Sequence, residues 1–166
     1  YALGNIASAD IAARVGGADL RAEGTRNPGA MNVHHVLGRR WATAVTAVDI
    51  GKGYAAARVG RRLAGDLGAN VAASAAVIGH CRPLGRRGGK GVATSVGQVI
   101  GTFPVYLPID VGVAAATATL PWFRQRTRAA TTVASLSWVG CAALWWRRGL
   151  DNPGGVRPTA SLPAAA

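Results

Sequence analysis

The chain is short of acidic residues, of cysteine, and of apolar runs built from Leu and Ile. Asp and Glu number 7 against 19 Lys and Arg, and all charged residues together make up 16% of 166 positions. That share is well below the roughly 25% usual in soluble domains. With 49% hydrophobic residues and 23 glycines, the composition is that of a small membrane protein, long enough for one compact domain. Alanine stands where Leu and Ile would normally fill a span, so each candidate span is marginal by hydropathy alone. The two cysteines, Cys81 and Cys141, give neither a disulfide framework nor a CxxC pair. Three histidines and two cysteines are too scattered for a metal cluster. The sequence opens on Tyr1 without an initiator Met, directly in an apolar stretch. We read this N-terminus as clipped, with neither a signal peptide nor a cleavage site evident.

A net charge of +12 fits nucleic acid, anionic lipid or phosphorylated ligands. The arginines fall in short clusters between apolar stretches, at Arg39-Arg40, Arg61-Arg62, Arg86-Arg87 and Arg147-Arg148. Nucleic-acid binding needs a continuous basic face, so no nucleic-acid partner is expected. Apolar stretches at 1–15, 41–59, 67–79, 92–123 and 129–146 predict an all-α, polytopic integral membrane helical bundle. Pro104, Pro108 and Asp110 divide the fourth stretch into two helices with a hairpin near 103–110, giving about six transmembrane helices. A basic turn is expected at 60–66, and a basic loop at 124–128 starts at Arg124. Trp145-Trp146-Arg147-Arg148 reads as an interfacial belt with cationic anchors. Residues 1–148 form the membrane domain, and the Pro/Gly/Ala-rich stretch 149–166 is expected to be a disordered tail. Loops after the first, third and fifth spans carry more Lys and Arg than the opposite side, which places them in the cytoplasm.

Two of those loops have the composition of anion cradles. Gly24-Thr25-Arg26-Asn27-Pro28-Gly29-Ala30-Met31-Asn32 is rich in residues that tolerate left-handed backbone, which lets successive amides converge on one anion. The bland alternative is a solvated turn. Gly79-His80-Cys81-Arg82-Pro83-Leu84-Gly85-Arg86-Arg87-Gly88-Gly89-Lys90 joins bare amides to fixed positive charge. Lys90 suits a phosphate, although Leu84 and Gly91 occupy places a Walker loop reserves for other residues. His80 could donate a hydrogen bond, act as a general base, or simply cap a helix end. Asp49 and Lys52 lie three apart on one helix face, as a functional pair or a structural brace. Asp10 and Asp110 have no evident partner. A Gly-x-Ser-x-Gly elbow and a His-x4-Asp pair are both absent. The two loops together point to an enzyme handling phosphorylated substrates at a bilayer.

Over residues 1 to about 135 these motifs resemble the bacterial integral-membrane glycerol-3-phosphate acyltransferases of the PlsY type. The opening Tyr1-Ala2-Leu3-Gly4-Asn5-Ile6 is similar to theirs. So are Asp19-Leu20-Arg21 with Gly24 to Val33, Asp49-Ile50-Gly51-Lys52-Gly53, and Gly79-His80 through Gly88-Gly89-Lys90-Gly91-Val92-Ala93-Thr94. Thr127-Arg128 with Thr131 is a weaker echo of a third motif. Departures are Thr25-Arg26 for the family's Ser-Gly, Met31 for Thr, a second motif about two residues short, Ala129 for an aromatic, and Thr131 for Ser.

The resemblance implies acyl transfer from acyl phosphate to the 1-hydroxyl of glycerol 3-phosphate, giving lysophosphatidic acid and phosphate for phospholipid synthesis. It implies no cofactor and no metal. It implies a multi-pass protein of the bacterial inner (plasma) membrane, in contact with membrane lipids. Carried over by motif, His80, Lys90 and Thr25 take catalytic roles. Asn27, Gly29 and Asn32 would cradle the donor phosphate with Thr25. Gly88 and Gly89 belong to the second cradle, and Arg128 and Thr131 would hold glycerol 3-phosphate with Lys90. Asp49 and Lys52 would brace the core or orient a phosphate. The alternatives are a divergent, non-catalytic relative that binds anionic lipid or phosphate ligands, and an acyltransferase with another phosphorylated acceptor.

Overall fold

Glycine and proline decide where the helices stop. A computed structural model describes residues 1–121 and 125–166. Trp122 and Phe123, which end the long apolar tract, and Arg124, which begins the expected basic loop, lie outside the described residues. The described helices are α1 (Ser8–Gly16), α2 (Ala30–Leu37), α3 (Arg39–Cys81), α4 (Val92–Thr102), α5 (Leu107–Thr119), α6 (Arg126–Arg148) and α7 (Ser161–Ala164). Helix stands at each of the six places the apolar pattern marks, the first of them only nine residues long.

The basic turn expected at 60–66 is tighter than the sequence suggests. Helix α3 runs 43 residues and breaks only at Ala64 (φ −145°) and Gly65 (φ 61°). Its two arms, 39–63 and 66–81, fold against each other at Gly60 and Gly68. A Cβ on either glycine would overlap the other's carbonyl oxygen, so the hairpin requires both. Farther along, Pro104 disfavours helical backbone at Phe103, which sits at φ −139° and ends α4. Pro108 falls in the first turn of α5, where its missing N–H costs nothing. Helix α6 ends at Gly149 in the left-handed region (φ 60°), with the Leu150 N–H returning to Trp145 O at 3.0 Å, a glycine-dependent stop.

Helix α4 docks on the first arm of α3 through main chain. A Cβ at Gly53 would overlap the Thr94 carbonyl, and one at Gly97 would overlap that of Ile50. Small residues permit such approach, and van der Waals contact then holds the helices without needing the hydrophobic effect. Among the described residues no helix is long and apolar enough to cross a membrane. The alanines, the glycines and the Asp49–Lys52 pair in α3 account for this, as does the arginine at both ends of α6.

Two cores result. One gathers Leu20, Val33 and Val45 with the alanines of α1. The other holds Val99, Phe103, Tyr106, Trp138, Val156 and Leu162. In it Phe103 stacks on Tyr106 with centroids 5.5 Å apart, and Trp145 meets Phe103 edge-on at 5.5 Å.

The tail corrects the sequence reading. Residues 149–166 were expected to be disordered, yet Val156 and Leu162 are fully buried in the second core. The Val156 N–H donates to Thr102 O at 2.9 Å, and Asn152 Nδ2 donates to the same carbonyl at 2.8 Å. Pro and Gly here shape a turn back to the bundle, and two apolar side chains anchor it.

Candidate functional site

Four side chains form a polar cluster inside the bundle. Asp49 and Lys52 lie one turn apart on α3, 2% and 4% exposed, with Lys52 Nζ 2.8 Å from Asp49 Oδ1. The Ser8 hydroxyl donates to the same carboxylate oxygen at 2.6 Å. Lys52 also donates to Ile6 O at 3.3 Å and lies 2.7 Å from His80 Nδ1. Three donors meet three acceptors, so this buried ammonium is fully satisfied, as a charge in such a place must be. An ammonium only donates, so Nδ1 accepts and the imidazole proton sits on Nε2. That nitrogen faces Gly89, where any Cβ would overlap it.

The two glycine loops converge on this histidine. Asn32, fully buried, accepts from Thr25 N at 2.6 Å and donates to Leu20 O at 2.9 Å and Glu23 O at 3.1 Å. Its amide is thereby committed to shaping the first loop. This leaves the Thr25 side chain exposed, with Asn27 and Gly29 half-buried beyond it. Gly29 starts α2 from extended backbone (φ −140°, ψ 166°). The Pro28 carbonyl lies 3.1 Å from where a Gly89 Cβ would be, and a Gly88 Cβ would overlap His80 O. His80, Gly88, Gly89, Pro28 and Ser8 thus line one small cleft.

Lys90 points elsewhere. It is exposed and lines a large apolar groove between the second arm of α3, α4, α5 and α6. Thr131 shares that groove, with its hydroxyl bonded back to Thr127 O at 3.1 Å and Arg128 O at 3.0 Å. Arg128 lies in a shallower depression with Gln125 and Val133, and Thr132 borders both spaces. The structure therefore joins His80, Gly88 and Gly89 to Asp49 and Lys52. Lys90 and Thr131 stand together around the corner, and Thr25, Asn27 and Arg128 are at the rim.

Several partners escaped the sequence reading. Asp10 is gripped by Arg21 Nη1 at 2.5 Å and by Arg86 Nη1 at 3.6 Å. Direct hydrogen bonding to Asp10 holds the Arg21 guanidinium above its usual pKa range. Arg86 also donates to Asn5 O, and Asn5 Oδ1 accepts from Leu84 N at 2.8 Å. Arg21 reaches Arg87 O at 3.0 Å. The polar residues of the N-terminal stretch thus tie down the second glycine loop. Their only signal was their presence in an otherwise apolar opening.

A family model described as glycerol-3-phosphate acyltransferase matches residues 1–159. A glycerol-3-phosphate acyltransferase of Thermoanaerobacter sp. (strain X514) is 44% identical over 99 residues, covering 57% of this chain and 50% of that protein. One from Jannaschia sp. (strain CCS1) is 38% identical over 141 residues, covering 82% of this chain and 68% of that protein. The chain spans about half the length of the first of these curated relatives. The crystal structure of PlsY (YgiH), an integral membrane glycerol 3-phosphate acyltransferase, in its glycerol 3-phosphate form superposes with a TM-score of 0.79 at 28% identity, covering 99% of this chain and 78% of that one. Its lysophosphatidic acid form gives 0.75 at 26% identity, covering 98% and 76%. The all-α bundle is therefore that of a polytopic integral membrane protein, and the chain belongs to the glycerol-3-phosphate acyltransferase family.

Proposed function

We propose that the protein transfers a fatty acyl group from acyl phosphate to the 1-hydroxyl of glycerol 3-phosphate, releasing lysophosphatidic acid and inorganic phosphate. The observation that carries this reading is the exposed Lys90 lining an apolar groove, next in sequence to Gly89 of the cleft that His80 faces. An acyl phosphate has both parts, an alkyl chain and an anionic head. Family membership and the two substrate and product forms of PlsY support it.

In this reading the alkyl chain lies in the groove and Lys90 holds a phosphate at its mouth. The acceptor oxygen attacks the acyl carbon, and the bond from that carbon to the phosphate oxygen breaks. The departing phosphate takes the hydroxyl proton. The donor is already activated, so the protein's task is to position two anions and stabilise charge on the carbonyl oxygen. His80, with its proton on Nε2, serves as a hydrogen-bond donor in the cleft. Lys52 occupies the nitrogen that a general base would use to hold its tautomer the other way. Thr25, Asn27 and Gly29 frame the donor phosphate at the rim, and Arg128 and Thr131 lie on the acceptor side. The motif loops face the cytoplasm of a bacterial plasma membrane.

The test is phosphate release by detergent-purified protein from acyl phosphates of graded length, octanoyl to palmitoyl, with and without glycerol 3-phosphate. Acceptor-dependent release is expected. Binding without release would favour a non-catalytic relative. Release that responds only to another phosphorylated alcohol would change the acceptor.

A further inference from the structure

The C-terminal segment docks on the second arm of α3 in a regular register. Asp66 Oδ2 accepts from Arg157 N at 2.8 Å. Asn70 Nδ2 donates to Ser161 Oγ at 2.8 Å. Ser74 Oγ donates to Ala165 O at 3.0 Å. Each bond spans the same separation, 91 residues, and both sets of positions advance by four. The segment therefore runs parallel to α3, with Leu162 fully buried beneath it. Gln98 on α4 closes the end, donating to Ala165 O at 2.7 Å and to Ser74 Oγ at 3.1 Å.

Ala165 and Ala166 of this strap line the groove that Lys90 also lines. Ser74, Gln98, Ala165 and Ala166 line it together with Asp110, and Gln98 stands six residues along α4 from Val92, the α4 residue nearest Lys90 in sequence. Two helices give the groove's length. The groove follows α4 from Val92 to Val99 and α6 from Thr131 to Trp138. Seven residues of helix rise about 10 Å. An extended alkyl chain advances about 1.25 Å per carbon, given bonds of ~1.5 Å at tetrahedral angles. A chain seated from the mouth meets the strap after roughly eight carbons. What it meets is polar: a main-chain carbonyl, an amide and a carboxyl, none of which replaces apolar contact.

We propose that residues 156–166 form the floor of the acyl groove and set the length of acyl chain that the protein accepts, with Ala166 as the residue nearest the chain's end. This rests on the acyltransferase reading for the identity of the chain, but its test does not need turnover. Each methylene buried in the groove tightens binding about fourfold, and a methylene that reaches the floor adds nothing. Affinity should therefore rise with chain length and then level off.

The experiment measures binding of alkyl phosphates from octyl to hexadecyl to the full chain in detergent, alongside phosphate release from the matching acyl phosphates. In the wild-type protein, affinity is expected to level off near the octyl to decyl members. Ala166→Phe fills the groove at an exposed position where the fold loses nothing, and it is expected to move the break two or three carbons shorter. Gln98→Ala frees Ala165 of the strap and is expected to move the break longer. A break that stays put in both variants, or affinity that climbs fourfold per methylene through hexadecyl, overturns the proposal. A break that moves as expected with no acceptor-dependent release supports the floor and sinks the acyltransferase reading instead.

Discussion

Lys52 donates to Nδ1 of His80 across 2.7 Å, joining positions 28 apart on the two arms of α3. The two arms meet through this contact on the side away from the Ala64–Gly65 break. It fixes the orientation of the one imidazole that faces the glycine loops.

If His80 acts as a donor from Nε2, His80→Ala should lower turnover by about a hundredfold, in the range of one lost transition-state donor. His80→Gln keeps an amide donor of similar reach and should recover part of that loss. A general-base role predicts no such rescue. Steady-state phosphate release on both variants decides it, and equal losses would remove the donor assignment.

Asp49 and Lys52 are each buried with the other as counter-charge. Asp49→Asn leaves an uncompensated ammonium and should destabilise the protein by about 3–5 kcal/mol. The double change Asp49→Leu with Lys52→Met removes both charges and should restore most of that stability. Thermal unfolding in detergent measures both. Turnover should remain low in the double variant because His80 has lost its partner.

Lys90 makes no hydrogen bond or ion pair among the described residues. Lys90→Ala should therefore leave the stability within about 0.5 kcal/mol of wild type and abolish glycerol 3-phosphate acylation. Near-wild-type turnover would remove Lys90 from the site.

Gly97 meets the Ile50 carbonyl where a side chain would lie. Gly97→Val forces α4 away from α3 and should cost at least about 1–3 kcal/mol, as overpacking does. Gly112, with open space around the same position, is the control: Gly112→Ala should be neutral or slightly stabilising. Comparable losses from both would mean the α3–α4 approach is not limiting.

The helical architecture was legible because apolar blocks are separated by Gly, Pro and Arg clusters, and those punctuations coincide with helix ends at Gly91, Phe103 and Gly149. The motif loops were legible for the same reason: Gly and Asn in runs have few other uses. What the sequence concealed was tertiary. Asp10 looked solitary because Arg21 and Arg86 reach it from separate loops. Asn32 looked like a phosphate ligand, but its amide is spent on three backbone groups. Lys90 follows Gly89 directly, yet it lines a different space from the cleft of His80 and Gly89. The tail's composition suggests disorder, because Leu150, Val156 and Leu162 are its few larger apolar side chains among Pro, Gly and Ala. The partners of Val156 and Leu162, Phe103 and Tyr106, lie some fifty residues upstream, beyond any local pattern.

The glycine contact between α3 and α4 also bears on how much this sequence can change. At Gly53 and Gly97 the two helices touch through peptide groups, which every residue shares. Outward-facing positions can change to alanine while the spacing between the Asp49–Lys52 pair and the loop entering α4 stays constant. Two hydrogen atoms in place of side chains thus act as a mechanical datum for the site, and a lineage that keeps them can rewrite most of its lipid-facing surface.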